Sequence, residues 1–128
     1  MAGLKGGAVL SGTRFHVDIE VDGSCWWRLT ASNGRVIAVA ARSYADHGEC
    51  RAVFEQLCAG IEGLQGELHH AQEGTGWKWR LRDRSGAIAA VSARTYERHS
   101  TCQTAYDRLW ALLVEVGAGR VRVWDDAE

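Results

Sequence analysis

The sequence predicts an α+β domain built from two tandem copies of one unit, strands followed by a helix. Their strands join in a single, mainly antiparallel sheet with both helices packed on one face. Three observations predict it. The chain repeats itself at an offset of 52 residues, each copy opens with strand-like segments separated by turn signals, and each closes on a helical apolar stripe. From Trp27 through Ala59 the offset gives 13 identities in 33 aligned positions, where ordinary residue frequencies would give roughly two or three. Gly34 matches Gly86, Arg42 matches Arg94, Tyr44 matches Tyr96, His47 matches His99 and Cys50 matches Cys102.

In the first copy, about residues 13–63, Phe15, Val17, Ile19 and Val21 alternate with polar residues, as in a half-buried strand. Asp22-Gly23 turns the chain, because both residues tolerate positive φ. A second strand is expected over Trp26–Ala31, then an Asn33-Gly34 hairpin and a third strand over Val36–Ala40. The period then becomes helical: Cys50, Val53, Phe54, Leu57, Ile61 and Leu64 form one stripe. Asp46 and Glu49 have the spacing of a reciprocal cap, and Gly60 and Gly63 mark the helix end.

The second copy, about residues 64–124, repeats the plan with strands over Leu68–Gln72, Trp77–Asp83 and Ile88–Ser92. Its first strand slips by one residue against the first copy, which predicts a bulge or small shift. Its helix begins near Ser100 with the stripe Cys102, Tyr106, Leu109, Leu113 and Val116. Gly117 and Gly119 end it, and a short last strand follows over residues 121–124. One copy alone has a sheet face and a stripe to bury and too few residues to bury them. Period-two alternation puts Trp27, Leu29, Trp79 and Leu81 toward the helices and Arg28, Arg80 and Arg82 toward solvent.

The aromatic-x-Leu strand Trp27-Arg28-Leu29, the turn Ser32-Asn33-Gly34, the strand Val36–Ala40, Tyr44 and the helix around Cys50, Phe54 and Leu57 resemble the YegP-like family of small bacterial and archaeal proteins. The second copy matches through Trp79-Arg80-Leu81, Gly86, Tyr96, Cys102, Tyr106 and Leu109. The resemblance covers about residues 14–124. It implies β(3)-α-β repeats that share one sheet, with the C-terminal strands exchanged between repeats. It implies no particular activity. The family commonly has Ser where Ala40 stands, while Ser92 keeps it.

Composition narrows the function. With 46% hydrophobic and 24% charged residues and a net charge of −1, the 128-residue chain is an ordinary globular one with no global field for nucleic acid or anionic lipid. No apolar run approaches the ~20 residues that span a bilayer. Residues 1–12 are expected to be flexible; their glycines interrupt any secretory-signal centre, so a cytoplasmic location with reduced cysteines is expected. Residues 125–128 read as an acidic tail. Neither a nucleophile elbow nor a Gly-rich phosphate loop is present, so no catalytic residue and no cofactor is expected.

Three groups remain as candidate sites. Cations and an indole on the solvent side of the sheet, Trp26, Arg28, Lys78, Arg80 and Arg82, form a surface for a partner. His47-x-x-Cys50 and His99-x-x-Cys102 supply four ligands, of two types that suit zinc, if the two pairs converge. Arg42, Tyr44, Arg94 and Tyr96 stand at equivalent strand-to-helix junctions and would flank a cleft between the copies. The leading expectation is a non-enzymatic binding module with an unidentified protein partner on the polar sheet face. A metal- or small-ligand-binding protein is the second, and a weak nucleic-acid binder the third. Nucleic acid is disfavoured by the near-zero charge, no membrane contact is expected, and the chain reads as a monomer, an intramolecular pseudo-dimer, or a weak homodimer.

Overall fold

The computed structural model describes residues 9–10, 12–72 and 74–124. Most of the expected flexible lead and all of the expected acidic tail lie outside them. The strands are β1 (Val9–Leu10), β2 (Arg14–Ile19), β3 (Cys25–Thr30), β4 (Val36–Ala40), β5 (Gln65–His70), β6 (Trp77–Arg82), β7 (Ile88–Ser92) and β8 (Val121–Arg122). The helices are α1 (His47–Ala59) and α2 (His99–Gly117), with a 3-10 turn at Ile61–Gly63. Six strands form one antiparallel sheet in the order β2-β3-β4-β7-β6-β5. The fold is α+β, as the sequence predicts.

Positions 52 apart take equivalent places. The register shift between Leu29 and Thr30 recurs between Leu81 and Arg82, and the bridge Cys25–Tyr44 recurs as Trp77–Tyr96. At the centre, β4 and β7 pair through Val39 opposite Val91, two residues themselves 52 apart. The outermost strands break this spacing. Phe15 lies opposite Leu29, whereas Gly66 lies opposite Leu81, an offset of 51. The β5–β6 loop is one residue longer than the β2–β3 loop, so the slipped register is absorbed there.

That slip exchanges bulk across the core. In the first half, Phe15 packs against Phe54 with ring centroids 5.0 Å apart, and Trp27 lies 5.2 Å from Phe54. In the second half Gly66 replaces the phenyl ring, and a Cβ there would collide with the hydroxyl end of Tyr106. Tyr106, the counterpart of Phe54, fills the space that Phe15 fills on the other side. Trp27, Leu29, Trp79 and Leu81 are each at most 1% exposed and face the helices, as alternation predicts.

Several boundaries move. The first strand ends at Ile19, not Val21, because residues 20–24 make the turn: Gly23 N–H donates to Glu20 C=O and Glu20 N–H to Ser24 C=O. Ile19 is therefore 71% exposed and Val21 fully so. The strand expected from Leu68 starts at Gln65, and α1 stops at Ala59, with Ile61 in the 3-10 turn. Asp46 caps α1 by accepting from Glu49 N–H at 2.8 Å, and Glu49 accepts from Ala45 N–H at 2.8 Å. The C-terminal strand stands outside the six-stranded sheet. β8 pairs in parallel with β1 as a separate two-stranded sheet, and Phe15 N–H donates to Val123 C=O.

Candidate functional site

The sheet face opposite the helices carries every charged side chain of the six strands. Since Phe15, Val17, Trp27, Leu29 and Leu81 pack into the core, the alternate residues Arg14, Asp18, Arg28, Glu67, Lys78, Arg80 and Arg82 point away from it. Five cations against two carboxylates leave this face at +3. Arg28 donates to Asp18 at 2.7 Å, and Arg80 and Arg82 both donate to Glu67 at 2.8 Å. The two guanidinium groups hold the Glu67 carboxyl below its usual range. Lys78 has no ion pair among the described residues. Half-buried Trp26, Val39 and Val91 stand on the same face.

Glu67 escapes a reading that starts the strand at Leu68. Asp83, just beyond β6, serves its hairpin, where it accepts from Ser85 N–H at 2.9 Å and Ser85 Oγ–H at 2.6 Å.

The His-x-x-Cys residues separate by burial. Cys50 and Cys102 are wholly buried, and burial pushes both thiols up, away from the thiolate a metal needs. His47 and His99 are exposed. His99 meets the edge of Trp77 at 4.6 Å, and His70 lies 4.0 Å from the same indole. Among the described residues no three His, Cys, Asp or Glu side chains cluster as a metal site.

The Arg and Tyr junctions fall in two clefts rather than one. Arg42 lies over Tyr44 and Arg94 over Tyr96, each guanidinium carbon 5.3 Å from the ring centroid. Tyr96 lines a cleft of about 610 Å³ between the β3–β4 hairpin and the first turns of α2. Tyr44 and Arg42 line a second, of about 410 Å³, between the β6–β7 hairpin and α1. The lining residues correspond at the 52-residue offset: Ile37 with Ala89, Leu109 with Leu57, Asn33 with Ser85. Burial raises both phenols, so each stays a neutral hydroxyl. Sequence reasoning missed Arg35 and Arg108 in the larger cleft. Their signal was a mismatch between copies, since the counterparts are Ala87 and Gln56.

No family model and no curated protein matches the chain. Two solved structures do. YegP from E. coli, a protein of unknown function solved in solution, superposes with a TM-score of 0.63 at 16% identity, over 95% of this chain and 99% of that one. The chain has the YegP fold. A UPF0339 protein from Shewanella oneidensis, also a solution structure, gives a TM-score of 0.62 at 11% identity, over 87% of this chain and 90% of that one. The likeness to YegP read from the residues thus extends to the backbone. No described helix is long and apolar enough to cross a membrane.

Proposed function

We propose that the protein is a non-enzymatic binding module whose uncovered sheet face docks an acidic protein surface. The supporting observation is the concentration of charge: every charged side chain of the six-stranded sheet lies on that face, at +3 net. A net positive face of this kind orients an encounter and favours carboxylate-bearing partners. Trp26, Val39 and Val91 supply the apolar centre that such an interface needs. A nucleic acid fits less well. Asp18 and Glu67 already engage Arg28, Arg80 and Arg82, which leaves few cations for a run of phosphates.

The test is fluorescence anisotropy at low ionic strength with a labelled Glu/Leu peptide and a labelled oligothymidylate, on the parent and on Lys78→Glu. The peptide should bind the parent more tightly than the oligonucleotide does, and Lys78→Glu should weaken it by about tenfold. Equal peptide binding by parent and variant, or tighter binding of the oligonucleotide, overturns the proposal.

A further inference from the structure

We infer that the larger cleft is a binding site for a small amphipathic anion, an apolar body carrying one carboxylate or phosphate group. At about 610 Å³ it is within the range of roughly 300–1,000 Å³ typical of small-molecule sites. Its apolar wall comes from Ile37, Leu109 and Leu112, and its polar wall from the hydroxyls of Tyr96, Ser100 and Thr101. The lining includes two cations, Arg35 and Arg108, and no carboxylate. Neither guanidinium has an ion pair or hydrogen-bond partner among the described residues; Arg35 bonds through its backbone alone, to Asn33 Oδ1 and Ala31 N–H. On α2 the positions three and four residues from Arg108 are Thr104, Ala105, Ala111 and Leu112, so its own helix offers no acid. Both charges are therefore available to a ligand lying on the apolar wall.

The second cleft isolates the feature. It keeps the location, the tyrosine and the leucine, but it has Ala87 for Arg35 and Gln56 for Arg108, and its own arginines, Arg42 and Arg84, share the wall with the carboxylate of Asp83. Its helix is also capped by a carboxylate, Asp46. In α2 the cap position is Arg98, with no side-chain bond to the helix. One scaffold thus presents the same concavity twice with two arginines in each, and only the larger copy leaves its cations without a carboxylate in the lining. A purely structural role would explain the shared apolar positions, but not this division of charge.

The proposal concerns a different surface from the sheet face and stands or falls separately. The experiment is a titration followed by amide resonances, with octanoate below its micellar range, octan-1-ol as the body without charge, and inorganic phosphate as the charge without body. Octanoate should shift the amides of Arg35, Ser100, Thr101 and Ala105, and neither control should match it. Arg35→Ala and Arg108→Gln, which install the residues of the other cleft at exposed positions, should together weaken octanoate by at least about tenfold. If the double variant melts early, Arg108→Gln alone should still weaken it severalfold. Undiminished binding by the variants, equal binding of octan-1-ol, or shifts confined to other surfaces would each refute the assignment.

Discussion

Replacing a helical glycine by alanine normally stabilises a helix by up to about 1 kcal/mol. At Gly117, in the last turn of α2, the sign should reverse. An alanine Cβ there would overlap the carbonyl oxygen of Cys58 in α1 and approach its carbonyl carbon to 2.9 Å and Ala59 N to 3.6 Å. These are backbone atoms near the end of a helix whose face is buried through Phe54, Leu57 and Cys58, so no rotamer change relieves the contact. The helices must separate, and overpacking of this kind costs about 1–3 kcal/mol. Subtracting the full propensity gain leaves a net loss of up to about 2 kcal/mol, or as much as roughly 8 °C in melting temperature for a domain of this size. Gly48, in the first turn of α1, is the control. A Cβ there meets only Asp46 Oδ1, at 3.4 Å, so Gly48→Ala should be neutral or stabilising by a few tenths of a kcal/mol. Urea unfolding of the two variants beside the parent decides the matter. A Gly117→Ala protein as stable as the parent, or more so, would mean that the close approach of α1 and α2 is not part of the folded core.

Two further outcomes follow from the caps and the thiols. Asp46→Ala should destabilise by about 1 kcal/mol through loss of the bond to Glu49 N–H, while Arg98→Asp should stabilise by a similar amount by giving α2 the cap it lacks. Equilibrium unfolding checks both, and no gain from Arg98→Asp would show that the first turn of α2 is satisfied in another way. Burial also pushes the Cys58 thiol from 9.0 up to about 12. The unfolded thiol ionises first, so stability is unaffected by this group below pH 9 and falls as pH rises from 9 toward 12. The three-unit gap corresponds to on the order of 4 kcal/mol. Urea midpoints measured up to pH 11 should drop more steeply for the parent than for Cys58→Ala, and parallel slopes would contradict the burial argument.

Most of the fold was legible because local signals and burial agree in it. Trp27-x-Leu29 and Trp79-x-Leu81 declare an inner face by alternation alone, and the hairpin glycines Gly34 and Gly86 do adopt positive φ, at 85° and 90°. Misread boundaries sit where apolar character and position disagree. Val21 looks like a core residue but stands on a turn, because the chain must reverse before Cys25 can pair with Ile19. Gln65 and Gly66 look like loop but pair with Arg82 and Leu81, because Tyr106 needs the space a glycine leaves. Spacing makes the cysteines candidate ligands, yet spacing along one helix says nothing about depth. Cys50 begins the buried stripe and His47, one turn earlier, lies outside it.

The positions that carry functional chemistry were hardest to see because repetition hides them. Identities at the 52-residue offset mark what both halves need to fold: the indoles, the leucines and the tyrosines that bridge to β3 and β6. A site that binds one ligand needs only one half, so its residues fall among the mismatches. Arg35 against Ala87 and Arg108 against Gln56 are such pairs, both exposed, and each adds a charge where the other half does without one. Exposed substitutions of that kind leave stability nearly unchanged, so folding alone gives no reason for two of them to meet in the same cleft. Their convergence in the larger cleft, with no acid beside them, is better accounted for by a ligand that carries the opposite charge.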